Sequence, residues 1–493
     1  MPFVTGPLPQ RLKLVHGFGA VAFGVKDSGF SFFLLPFYNL VLGVDASTVG
    51  AALAAALVID ALVDPLIGHL SDRTYTKWGR RLPWLYLAPW PLALVWTMLW
   101  SPPFTGTPGF WDIVALAVGV RLLLSACEVP SVSLVPEITD YYDDRTTLFR
   151  YRFLSGWLGG LLMMVLTFTV FLPTPQSQLQ PEGYASYGLF GAALIALSVI
   201  GSAAAQHRIV AQLPERRPPP FSITGAFAEI FDAFREKAFV IFALGGLAAY
   251  VLQGMTFSIT QYVNLYVWQF SELAFQLYPA VLFLSVVLMF VIVGPLHRRW
   301  GKPKSAALGA LVGLAFYCSP YVFYLAGAWP TVGTTASTAL LYGFLVCANT
   351  ASVVAIISAT SMVAEIVEAF EERTGQRAEG TFYAGNWLVQ KCATGGGILL
   401  TSLIVQSIDL APGTPQAEVA PETVRQLVWL FMLAATVLAS IAAFWLARFP
   451  ISREQHEARV AARRGRPAPP APATPDPLDQ AVRADPDAHT ITP

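Results

Sequence analysis

Asp60 and Asp64 lie four residues apart in an otherwise apolar run, Val58-Ile59-Asp60-Ala61-Leu62-Val63-Asp64-Pro65. On a helix that spacing sets the two carboxylates about 40° apart on one face, one turn from each other. An ionisable side chain at membrane depth costs roughly 2.5–3.5 kcal/mol on insertion scales, so it faces a cavity or a partner. Two such acids repel each other unless a cation or a proton separates them. One reading of the pair is therefore a cation site. The other is a helix end reaching for interfacial water, since Asp64 is about two turns from Arg73. Asp60 is deeper and cannot easily reach that water.

Other ionisable groups also interrupt apolar runs: Lys26 and Asp27 in Gly24-Val25-Lys26-Asp27-Ser28-Gly29, then Arg121, Glu128, Arg152 and Lys391. Ser125 and Glu128 stand at i, i+3 on one helix face, so a hydroxyl can join the carboxylate as a ligand. A hard cation such as Na⁺ needs several oxygens, and Asp60, Asp64, Glu128 and Ser125 supply that chemistry. A proton needs only one buried carboxylate. The competing reading makes Lys26, Arg152 and Lys391 static partners of Asp27, Glu128 and the Asp60/Asp64 pair. Such bridges add little net stability, and a cluster of them at mid-depth fits a transport path better. Arg121 lies seven residues before Glu128, on nearly the same face. It could contact an anionic substrate group or pair with Glu128 through water. Tyr383, Trp387 and Lys391 share another face, with Asn386 and Gln390 adjacent. Rings beside hydrogen-bonding groups suit a sugar; the alternative is an interfacial Tyr383 and a Trp387 packed on lipid or a neighbouring helix.

These residues sit in a chain of 493 residues that is 55% hydrophobic and 13% charged. That balance fits a polytopic membrane protein, and the net charge of zero offers no field for nucleic acid. The six histidines have no ligand spacing, and no nucleophile elbow, phosphate loop or zinc motif occurs. No catalytic residue and no cofactor is predicted. The four cysteines, Cys127, Cys318, Cys347 and Cys392, fall in apolar runs and read as free thiols.

Twelve spans are predicted, near 14–42, 48–70, 83–102, 111–137, 149–172, 184–205, 238–268, 273–296, 305–327, 333–364, 381–408 and 424–447. Alternate connections carry almost all the Lys and Arg, while the opposite loops have none. The positive-inside rule then puts both termini in the cytoplasm. The predicted organisation is a first bundle over 1–205, a central cytoplasmic loop over 206–237, a second bundle over 238–448 and a cytoplasmic, disordered tail over 449–493. A Gly-and-cation motif follows the second span of each half: Gly68-His69-Leu70-Ser71-Asp72-Arg73 with Trp78-Gly79-Arg80-Arg81, and Gly294 to Lys302 with Trp300-Gly301-Lys302. Its recurrence suggests an internal repeat, with a Gly at a tight turn and cations just outside the membrane in each half. Glu365, Glu368, Glu371, Glu372 and Arg373 read as a solvated end to the tenth span.

From Leu14 to Arg448 the chain resembles the glycoside–pentoside–hexuronide:cation symporters of the major facilitator superfamily, the melibiose-permease-like group. The resemblance is most specific at Lys26-Asp27, Asp60-x3-Asp64-Pro65-x2-Gly68, Arg73 to Trp84, Glu128-Val129-Pro130, Leu134-Val135-Pro136-Glu137 and Lys391. It implies cation ligation by Asp60, Asp64, Glu128 and Ser125, and sugar contacts from Asp27, Lys26, Arg152 and Glu128. It also implies that Lys391 couples to the acids. Val132 stands where the melibiose permease has a tryptophan that supports the sugar, and Arg121 lies outside the motif. A vertebrate lysophosphatidylcholine symporter shares the acids and the lysine, so a lysolipid or other amphiphile is the alternative substrate.

The prediction is therefore an all-α polytopic membrane protein of two six-helix bundles, the major facilitator fold. It would perform Na⁺- or H⁺-coupled symport of a sugar or glycoside by alternating access. Arg121, Trp387 and Tyr383 are added to the substrate residues. A monomer in the bacterial inner or plasma membrane, in contact with lipid, is expected. An enzyme would need a constellation that the sequence lacks, and a sensor or scaffold would need a soluble module.

Overall fold

The computed structural model describes Val4 and residues 8–211 and 232–450, apart from 140, 376–377, 409, 412 and 416–417. Most of the predicted central loop and the predicted disordered tail, with Arg216, Arg217, Arg377 and the cations beyond residue 450, lie outside the described residues. Among the described residues the chain is helical, with one isolated bridge between Thr76 and Gly79. Ten segments among the described residues are long and apolar enough to cross a membrane. We label them in order with the pieces that complete the pattern: α1 (Gln10–Val41), α2 (Ala46–Arg73), α3 (82–100), α4 (Phe110–Ile138), α5 (Asp143–Phe171) and α6 (Pro181–Val210). The second half continues with α7 (Lys237–Val267), α8 (272–300), α9 (302–325), α10 (Thr335–Thr374), α11 (Gly380–Ser407) and α12 (Pro421–Ala447). The α8–α9 pair is one apolar run of 54 residues broken at Gly301, and α3 is split between Leu82–Leu87 and Pro89–Trp100. The arrangement is consistent with twelve crossings.

Local chemistry sets the ends of these helices. Pro181 and Pro421 open α6 and α12, each followed by a glutamate in the first turn. Asp112 accepts the Gly109 N–H at 2.9 Å, and Thr334 accepts from Ser337 N–H. Gly375, with φ 72°, closes α10 in a left-handed cap. α1 is broken after Phe18 and widens into π-turns at Gly29–Phe33 and Phe37–Val41, the first directly beyond Lys26-Asp27. Such turns loosen the helix ladder near side chains that must be aimed.

The repeated motif has a structural role in each half. Its turns are made by Gly79 (φ 87°) and Gly301 (φ 73°), while Gly68 and Gly294 lie within helices. The cation after each turn grips the third helix of its hairpin set. Arg81 donates to Glu137 of α4 at 3.1 Å and to Ser71 of α2 at 2.6 Å. Lys302 reaches Glu365 of α10 at 2.9 Å. Glu365 is therefore buried rather than solvated, and α10 runs about ten residues past its predicted end, its further turns also held by Arg373 on Glu236 and by the Phe370–Phe382 ring contact at 5.3 Å.

Small residues let helices meet backbone to backbone. A Cβ on Gly24 of α1 would come within 1.8 Å of the Gly156 carbonyl on α5. Between the halves, Gly50 of α2 lies against Ser402 of α11, where an added Cβ would meet Ser402 Oγ at 2.0 Å. At the end away from the cationic loops, further contacts join the halves. Tyr262 O–H donates to Asn39 Oδ1 at 2.9 Å, Gln261 pairs with Gln178, and the rings of Phe168 and Phe275 stack at 5.2 Å.

Candidate functional site

A cavity of about 990 Å³ lies between the halves. Its lining comes from the middle of most spans and from the cationic-loop end of α5 and α11, as with Phe149, Arg152, Phe153 and Trp387. The opposite end is shut by the Asn39–Tyr262, Gln178–Gln261 and Phe168–Phe275 contacts. The cavity therefore opens towards the loops that carry the Lys and Arg residues. Eight charged side chains line it: Asp27, Asp60, Asp64 and Glu128, against Lys26, Arg121, Arg152 and Lys391.

The α2 acids meet three partners. Lys391, from α11 in the other half, places Nζ 2.9 Å from Asp60 Oδ2 and 2.5 Å from Asp64 Oδ2. Ser125 of α4 lies with its hydroxyl 3.1 Å from Asp60 Oδ1 and 2.7 Å from Asp64 Oδ1, so one O–H is shared between the carboxylates. Arg121, one turn earlier on α4, donates from Nη1 to Asp60 Oδ2 at 3.1 Å. Its guanidinium lies 4.6 Å from the Phe30 ring centre, and its Nε has no acceptor. Asp60 and Arg121 are both buried, at 4% and 6% exposure, while Asp64 is half-buried.

This differs from the expected site in three respects. Arg121 pairs with Asp60 rather than with Glu128, because α2 packs alongside α4 and brings Asp60 level with it. Glu128 does not join Asp60 and Asp64: among the described residues no three Asp, Glu, His or Cys side chains are disposed to hold a metal ion. The α2 acids are paired instead with Lys391 and Arg121. Glu128 instead faces the cavity with no hydrogen bond or ion pair among the described residues, and Arg152 donates to Ser131 at 2.6 Å rather than to Glu128.

Lys26 lies 3.7 Å from Asp27 and 4.4 Å from the Phe23 ring centre. The Asp27 side chain is 55% exposed, towards the cavity. On α11, Trp387 and Gln390 line the cavity and Trp387 is 55% exposed. Tyr383 is not part of the lining, which on α11 begins at Trp387; Asn386 is buried and accepts from Tyr250 O–H at 3.2 Å. Val132 lines the cavity. Sequence reading missed Gln253, Thr256, Asn349 and Ser352, and the Trp157–Phe283 ring pair at 5.5 Å across the halves. Neutral polar and aromatic residues do not stand out in apolar runs as charges do, so only a helix-by-helix face assignment would have found them.

Solved transporter structures share this all-helical fold. The nucleoside transporter NupG superimposes with a TM-score of 0.62 at 16% identity, covering 90% of this chain and 100% of that one. A bacterial homolog of the human lysosomal transporter Spinster, inward-facing and unoccupied, gives 0.63 at 15% identity over 90% of this chain and 98% of that one. The family model for MFS/sugar transport protein matches residues 15–453, and the chain belongs to this family. An uncharacterized symporter of Synechocystis sp. is 27% identical over 90% of this chain and 94% of its own length. The isoprimeverose transporter of Lactiplantibacillus pentosus is 30% identical over 32% of this chain and 33% of its own length. The resemblance to glycoside–pentoside–hexuronide symporters is thus borne out, and the protein is an integral membrane transporter of small molecules.

Proposed function

We propose that this transporter couples a sugar or glycoside to the flow of a cation, Na⁺ or H⁺, by alternating access. It would act as a monomer in a bacterial inner membrane with both termini cytoplasmic. One observation carries the reading: Lys391 crosses from the second half to lie between both acids of α2. A cation arriving at Asp64 would take the place of that ammonium, loosening the tie between halves and freeing Lys391 towards the substrate. Each ligand then changes the other's affinity, which is the thermodynamic content of coupling. Asp27, Lys26, Glu128 and Arg152 offer polar groups to hydroxyls on one wall, and Trp387 offers a ring to a sugar's C–H face on the other. The relative named for isoprimeverose supports a glycoside.

The test is uptake into vesicles, screening labelled glycosides under imposed Na⁺ and proton gradients. Asp64→Asn should abolish accumulation against a gradient while leaving downhill exchange. A variant that accumulates substrate as well as the parent would end the proposal. A lysolipid or other amphiphile is the second reading, favoured by Leu57, Val129, Val132, Phe153 and Leu282 in the lining. The same screen, with lysophosphatidylcholine added, separates the two.

A further inference from the structure

We infer that Arg121 is a tethered cation that holds at Asp60 the place a free Na⁺ would need, so that this carrier does not bind Na⁺ at its α2 acids. The inference rests on the cation-coupled reading above and narrows its ion. Both oxygens of Asp60 are already engaged: Oδ2 by Arg121 and Lys391, Oδ1 by the Ser125 hydroxyl. The cavity holds four acids and four bases, so its formal charge is balanced before any ion enters.

The two cations differ in how they are mounted. Lys391 comes from α11, in the other half, and a rocking of the halves withdraws it. Arg121 and Asp60 lie on α4 and α2 of the same half and travel together. Arg121 is 6% exposed and backed by the Phe30 ring, and a guanidinium keeps its charge. When Lys391 leaves, what remains for an ion is the Asp64 carboxylate and the Ser125 hydroxyl beside a fixed positive charge. Na⁺ needs several converging oxygens and is repelled there. A proton needs one oxygen, and the Asp64 carboxylate provides it.

The experiment is thermal unfolding of the purified full chain in detergent, in NaCl against choline chloride at equal ionic strength. The parent protein should show no Na⁺-specific change. Arg121→Met should gain a saturable rise in Tm on the order of 2 °C, and Arg121→Met with Asp60→Asn should lose it. Arg121→Gln serves if the methionine variant does not fold. Lys391→Ala is the second arm: with Arg121 in place it should still show no Na⁺-specific shift. A saturable Na⁺ shift in the parent or in Lys391→Ala overturns the inference, as does its absence from a folded Arg121→Met or Arg121→Gln. Because this is a binding readout, failure here is separable from failure of symport, which shows instead as Asp64→Asn retaining uphill uptake.

Discussion

At the scale of single residues, the Asp60–Arg121 pair should be asymmetric under mutation. Asp60→Asn leaves a buried guanidinium without its counter-charge, a loss of about 3–5 kcal/mol for broken buried pairs. Arg121→Met leaves Asp60 with Lys391 and Ser125, so it should cost less than half as much. Adding Arg121→Met to Asp60→Asn should recover part of the loss. Thermal unfolding of the three variants checks the order, and equal losses for the two single variants would refute it. The charges themselves were legible in the sequence because each breaks an apolar run. Their pairing was not. Periodicity places Arg121 and Glu128 on one helix face, but partners are chosen across helices, and Asp60 lies at the right height on α2. Tyr383 was misplaced for a similar reason: a shared helical face does not say where the cavity ends.

At the scale of helices, backbone approach governs what can be changed. Gly24→Val would force α1 and α5 apart at the Gly156 carbonyl, since backbone cannot yield as a side chain can. A loss of about 1–3 kcal/mol or more is expected from overpacking, read as reduced Tm and yield, whereas Gly343→Ala, in open space on α10, should be neutral. Lys302→Met should fray the end of α10 by leaving Glu365 buried without its partner, raising hydrogen exchange over 365–374. Unchanged exchange there would show that the pair does not support that segment. Most spans were readable to within a few residues because runs of about 20 apolar residues are hard to hide. The end of α10 was not, because Glu365 looks like a surface charge until Lys302 is seen beside it.

At the scale of the molecule, the shut end is held by polar as well as aromatic contacts between the halves. Tyr262→Phe removes the bond to Asn39, worth about 1 kcal/mol, and should shift the two access states by about fivefold towards opening at that end. Alkylation of a cysteine introduced near Phe168 would report it, and unchanged labelling would count against the contact as a latch. The sequence told which loops are cationic but not which end is open, since both access states are made from the same residues.

The even balance of the eight cavity charges has an electrical consequence. A chamber with no net charge can reverse its facing across a polarised bilayer without work against the field. Once a monovalent cation boards with a neutral solute, each crossing is worth about 2.3 kcal/mol per 100 mV. Voltage would then drive the loaded passage and leave the empty return indifferent.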